Sequence, residues 1–193
     1  NMPLIYYSNS DVVDRNLNNT GKKVYSEKQN PTLERVLCGY GIQGCTMVLN
    51  KALRDIFLSV DVSKERIGMH DYFLCDLCMA CGGKILYDEF ATMKYRQHEN
   101  NVVGYDVKAT RLDKIKKYKN EILKRTDDSI ADDARLILLF SDKMTEKGRK
   151  TAVRIEHYKH SVVSRIWLAC SILMCGFEKK ELLKAVKILL KNA

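Results

Sequence analysis

The chain has 193 residues, 46% hydrophobic and 30% charged: enough apolar material for one full domain, or a domain with an appendage, and too much for a disordered chain. Its longest apolar window, Val162 to Phe177, carries Arg165 and falls short of the roughly 18 to 20 uncharged residues that cross a bilayer, and the first ten residues lack the basic and apolar stretches of a secretory signal. The net charge of +9 is unevenly spread, with 12 Lys+Arg against 13 Asp+Glu in residues 1–107, 21 against 11 in residues 108–193, and 10 of the 12 Gly and Pro in the first part. The expected organisation is therefore a loop-rich, electrically balanced unit over 1–107 and a basic, all-helical region over 108–193.

In chain order, Leu4 to Tyr7 predicts a buried strand that ends in a polar loop at Ser8-Asn9-Ser10-Asp11. Arg15 to Asn30 reads as loop. Thr32 to Tyr40, with Leu33, Val36 and Leu37 on one face, reads as a helix broken by Gly39, Gly41 and Gly44. Cys45 to Leu49 predicts a second strand and Lys51 to Leu58 a short helix. Asp71 to Cys81 is apolar on nearly every side and predicts a buried helix stopped by Gly82-Gly83. Lys84 to Tyr87 and Phe90 to Tyr95 resemble two short strands. From there the pattern is helical: Arg111 to Arg125, Asp128 to Thr145, Lys150 to Cys175 and Lys179 to Lys191, with breaks near Gly148 and Gly176.

Seven cysteines, an odd number in apolar contexts, point to a reducing, cytosolic compartment rather than a disulfide scaffold. Cys75-x-x-Cys78-x-x-Cys81 invites a metal reading. On a helix, however, the third of these has swung well away from the first, and no fourth ligand is near in sequence, so core packing is the better account. The basic helix Arg111 to Arg125 has three readings: a solvated face, a membrane-surface helix with lysines at anionic headgroups, or a nucleic-acid footprint. No nucleic-acid motif accompanies it, and no nucleic-acid partner is expected.

Three motifs carry the chemistry: Gly41-Ile42-Gln43-Gly44-Cys45-Thr46-Met47-Val48-Leu49-Asn50, Met69-His70-Asp71-Tyr72-Phe73, and Tyr95-Arg96-Gln97-His98-Glu99-Asn100-Asn101-Val102-Val103-Gly104. In this order and spacing they resemble the second half of the inverting family-two glycosyltransferases, which have the GT-A fold and include bacterial polysaccharide rhamnosyltransferases. The likeness covers roughly residues 4–107. The family usually has Gly after the motif histidine, where this chain has Glu99. The resemblance implies an α/β fold: a partial GT-A mixed sheet with helices, followed by the helical region. It implies that the chain is the acceptor-side half of a longer enzyme, because no Asp-x-Asp and no Gly-rich nucleotide loop is present. The nucleotide-binding half would then lie in a preceding segment of about 90 to 110 residues, a typical half-domain length.

The implied activity is transfer of a sugar, with rhamnose as a candidate, from a nucleotide-sugar donor to a polysaccharide or lipid-linked glycan acceptor, with inversion. By resemblance, Asp71 is the general base. Arg96, Gln97 and His98 lie near the donor diphosphate, and His98 is a candidate ligand for a divalent metal, Mg or Mn. Gln43, Gly44, Cys45 and His70 line the acceptor side. An inverting transfer needs a carboxylate to accept the acceptor hydroxyl's proton and positive charge against the departing diphosphate. The residues alone leave Asp71 open as a helix N-cap, His70 as a structural histidine, Arg96 as an ion-pair partner and the Asn pair as turn formers. On this reading the enzyme works in the cytoplasm, peripheral to the inner face of the cell membrane, with self-association open and this half alone inactive. The competing reading is a non-catalytic module whose basic helical tail docks on an anionic membrane or an acidic partner.

Overall fold

The computed structural model describes residues 2–25, 31–38, 42–97 and 128–174, together with positions 182, 185, 186, 188 and 189. Its elements are β1 (Leu4–Val13), β2 (Asn19–Lys23), α1 (Leu33–Leu37), a 3-10 turn (Gly44–Thr46), β3 (Val48–Leu49), α2 (Lys51–Leu58), α3 (His70–Ala80), β4 (Lys84–Arg96), α4 (Asp128–Leu138), α5 (Glu146–Glu156), a second 3-10 turn (Tyr158–His160) and α6 (Val162–Met174). His98, the remainder of the third motif, and the basic segment Arg111 to Arg125 lie outside the described residues. The architecture is mixed α/β.

β1 is the axis of the sheet. It pairs in parallel with β4 along its whole length and antiparallel, on its other side, with β3 near its start and β2 near its end. The strand expected over Leu4 to Tyr7 therefore runs on to Val13, straight through the polar stretch assigned to a loop. Ser8, Asn9 and Ser10 are buried, and two of them have replaced water with side-chain partners. The Ser8 hydroxyl pairs with that of Thr92. The Asn9 amide donates to the Tyr25 carbonyl at 2.8 Å and to the Tyr87 hydroxyl at 2.7 Å, and its oxygen accepts the Tyr25 N–H at 3.1 Å. A polar residue in a strand interior is tolerated once its hydrogen bonds are made.

The presumed loop at Arg15 to Asn30 contains β2, closed by a turn in which Asp14 accepts the N–H groups of Asn16 and Asn18, both at 2.8 Å. This is an Asx-type turn. The expected strand Cys45 to Leu49 is shorter, because Gly44–Thr46 winds into the 3-10 turn. The two short strands over 84–95 are one strand. Opposite the consecutive residues Ser8, Asn9 and Ser10, β4 presents Asp88, Ala91 and Met93, so Glu89, Phe90 and Thr92 are extra residues in bulges. The apparent gap in the apolar pattern is this irregularity, which twists a strand without ending it.

The helix expected at 71–81 is α3, ended by a Schellman motif: Gly82 has φ +76°, its N–H bonds to the Met79 carbonyl at 3.1 Å, and the Gly83 N–H bonds to the Cys78 carbonyl at 2.8 Å. Cys75 and Cys78 are fully buried in the common core. Burial pushes the Cys78 thiol up to about 12 and the Cys81 thiol to about 11, and raises Cys75 further. Such sulfurs stay protonated and pack as small hydrophobes.

The long helices expected over 128–145 and 150–175 are broken at 139–145 and 157–161. Gly148, read as a breaker, lies inside α5, where its missing Cβ admits the Ala80 carbonyl oxygen. The helical part shares one core with the sheet part. Ala134, Ile137, Phe140, Ile155 and Leu168 are buried in the same cluster as Ile5, Leu37 and Leu77, and the Phe73 and Phe140 rings lie 6.0 Å apart. No helix among the described residues is long and apolar enough to cross a membrane.

Candidate functional site

α3 is followed by β4 after a short turn. An eleven-residue helix is about 16 Å long, and its N-terminus meets the loop whose Thr46 hydroxyl bonds to the Ser8 carbonyl, midway along β1. Met69 is the N-cap residue and makes no side-chain capping bond. Asp71, second in the helix and 7% exposed, is thus not the N-cap. Its Oδ1 accepts the Tyr72 N–H at 3.0 Å, and its Oδ2 accepts the Gly44 N–H at 3.2 Å.

That second bond joins two sequence motifs. The loop Gln43-Gly44-Cys45 lies against the start of α3 so closely that a Cβ on Gly44 would sit 2.7 Å from His70 Nε2 and 3.2 Å from Asp71 Cβ. The loop is held on two further sides. The Gln43 N–H donates to the Tyr25 hydroxyl at 2.7 Å, and the Thr46 hydroxyl donates to the Ser8 carbonyl at 3.0 Å. Tyr25 in turn is fixed by the two Asn9 bonds and by edge-on packing against Tyr7 and Tyr87, at 5.6 and 5.8 Å between ring centres. A chain of directional contacts therefore runs from Asn9 through Tyr25 to the loop and on to the carboxylate.

His70 and Cys45 are exposed, while Asp71 lies behind them. Partial desolvation pushes the Cys45 thiol up, and the neighbouring Asp71 charge adds to the rise. Gln43 Oε1 is a buried acceptor with no hydrogen-bond partner among the described residues, the kind of atom whose lone pairs call for an explanation.

Five of the singled-out residues, Gln43, Gly44, Cys45, His70 and Asp71, are therefore one constellation. Arg96 and Gln97 are placed elsewhere. Arg96 is exposed and pairs with Val13, and the Gln97 N–H bonds to the Val13 carbonyl at 2.9 Å. Val13 is five residues beyond Ser8, about 17 Å of strand. No group of three or more His, Cys, Asp or Glu among the described residues is arranged to hold a metal ion. Sequence reasoning passed over Asn9 and Tyr25, which position the loop. The one signal, for Asn9, was the polar stretch that follows a strand-like run; Tyr25 had none. The chain matches no protein-family model, no curated protein and no solved structure.

Proposed function

We propose that this chain is the acceptor-side half of an inverting glycosyltransferase of GT-A type, with Asp71 as the general base. The observation that carries this reading is the Gly44 to Asp71 contact. Two of the motifs that carry the resemblance, 27 residues apart, meet at one shielded carboxylate next to an exposed histidine.

In the proposed reaction an acceptor sugar lies over Gln43, Gly44, Cys45 and His70. Asp71 accepts the proton of its attacking hydroxyl as that oxygen bonds to the anomeric carbon and the nucleoside diphosphate leaves. The two N–H groups on Asp71 fix its orientation, so that the carboxylate meets the hydroxyl without reorganising. Arg96 and Gln97 lie at the level of Val13, about 17 Å of strand from the loop at Ser8, too far to hold a diphosphate bonded to the attacked carbon, so on this reading that diphosphate falls to the nucleotide-gripping half. A divalent metal would offset the charge of that diphosphate; because the described residues offer no ligand cluster, no step is drawn through it.

The test is Asp71→Asn in a protein that carries the nucleotide-binding half, assayed for transfer from a deoxythymidine diphosphate sugar to a lipid-linked glycan. Asn keeps an oxygen for the Gly44 N–H but is no base. The expected result is a loss of about 10²- to 10⁴-fold in kcat with a folded protein whose melting temperature falls only slightly, because the Tyr72 N–H loses its acceptor. Full activity in that variant removes Asp71 as the base.

A further inference from the structure

α6 is apolar on both faces. Ser164, Leu168, Ala169 and Ile172 pack inward. The outward stripe, Val162, Val163, Ile166, Cys170 and Met174, is exposed, with Val163 at 68% and Met174 at 85%. Positions 162, 166, 170 and 174 follow one another at i, i+4 spacing, so the stripe is continuous along the helix. Leu182, Val186 and Leu189 repeat the arrangement further on, exposed beside the buried Ala185 and Ile188. A helix apolar all round is normally covered on all sides. At 13 residues, about 20 Å, α6 is too short to span a bilayer.

The surrounding charge says what kind of cover fits. The described residues from His157 to Met174 include no acidic residue and hold Lys159 and Arg165. The Arg154 guanidinium lies 4.2 Å over the Trp167 ring, and Arg165 has no ion-pair partner among the described residues. A second copy of this chain would bring like charges together across a two-fold axis, which opposes pairing through the stripe. An anionic surface satisfies both features at once: acyl chains take the Val, Ile and Met side chains, and phosphates take the cations.

We infer that the exposed stripe of α6 is a docking surface for an anionic lipid bilayer, lying in its interface with the helix parallel to the membrane plane. This does not depend on the glycosyltransferase reading, and it rests on different residues from the basic segment at 111–125. The protein carries its own reporter, because Trp167, on α6, is the only tryptophan. The experiment uses the full chain with vesicles of phosphatidylcholine alone or containing phosphatidylglycerol. Sedimentation and a blue shift of the Trp167 emission are expected with the anionic vesicles and not with the neutral ones, weakening as salt is added. Val163→Asp and Ile166→Asp, both at exposed positions, are expected to lower the bound fraction about tenfold or more at unchanged melting temperature, since each removes an aliphatic side chain that the bilayer would cover and adds a charge of the same sign as the lipid. Equal binding by wild type and both variants overturns the inference. So does absence of vesicle binding accompanied by a dimer that Ile166→Asp dissolves, which would assign the stripe to a second copy.

Discussion

The two sides of α3 are held by different balances of hydrogen bonding and apolar packing. On the sheet side, the strand at the centre of the molecule buries Ser8, Asn9 and Ser10, and directional hydrogen bonds from Asn9 through Tyr25 fix the loop that reaches Asp71. On the helical side, α4, α5 and α6 meet the core through alanine, isoleucine, leucine and phenylalanine, and α5 is seated on the end of α3 where the Thr145 N–H bonds to the Ala80 carbonyl at 3.1 Å beside Gly148. Hydrogen bonds fail singly and over short distances. Close packing fails cooperatively, because dense interiors have little room to relax. The contrast teaches that damage on the helical side spreads to the whole domain, while damage on the sheet side concentrates at the site.

The largest effect expected from this contrast is Gly148→Ala. The added Cβ would meet the Ala80 carbonyl oxygen at 2.0 Å and Thr145 Oγ1 at 3.0 Å, and backbone at a helix end cannot swing aside. A loss of about 3 kcal/mol or more in urea unfolding is expected, against the small gain usual for Gly→Ala in a helix. A neutral result would mean that α5 is not seated on α3.

Asn9→Ala is next. It leaves the Tyr25 N–H and C=O without their partner, and the Tyr87 hydroxyl without its donor. About 2 to 3 kcal/mol of stability is expected to go, with faster hydrogen exchange at the Tyr25 and Gly44 amides. Tyr25→Phe keeps the ring packing and removes only the oxygen that accepts the Gln43 N–H. About 1 kcal/mol is expected, together with a selective shift of the Gly44 amide resonance. If Gly44 is undisturbed, the contact chain does not reach the carboxylate.

The smallest effect is kinetic. Iodoacetamide at mildly alkaline pH is expected to modify Cys45 and Cys170, which are exposed, and to spare Cys75, Cys78 and Cys81, whose thiols are buried and held protonated. Burial raises the Cys45 thiol first, and the Asp71 charge raises it further. Neutralising that charge favours the thiolate, so Asp71→Asn is expected to speed Cys45 labelling a few-fold at fixed pH. An unchanged rate would place the carboxylate away from the loop.

Local rules carry the parts of this protein in which neighbouring residues make the decision. Lys51–Leu58 is helical over the expected residues because its amphipathic run follows Asn50, whose side chain accepts the Leu53 N–H at 3.0 Å. α3 stops at Gly82-Gly83 because glycine there takes the left-handed conformation that a Schellman turn needs. The constellation around Asp71 was legible as residue types in separate motifs. Only the resemblance grouped them, and no local rule predicts the Gly44 contact, which spans 27 positions. Local rules fail in the same way at Ser8-Asn9-Ser10. By composition it is a loop; pairing with β4 makes it a strand, and partners at Tyr25, Tyr87 and Thr92 take the Ser8 and Asn9 side chains.

What the sequence determined by itself is therefore the set of local decisions: the apolar faces of the helices, their caps and stops, the buried cysteines and the uneven charge. The tertiary structure decided which polar residues could be buried, that Gly148 serves close approach rather than chain reversal, and which ionisable groups share a neighbourhood. The physical reason is range. Capping, turn and periodicity preferences act within a few residues, whereas a polar group is buried at acceptable cost only when a partner distant in the chain completes its hydrogen bonds.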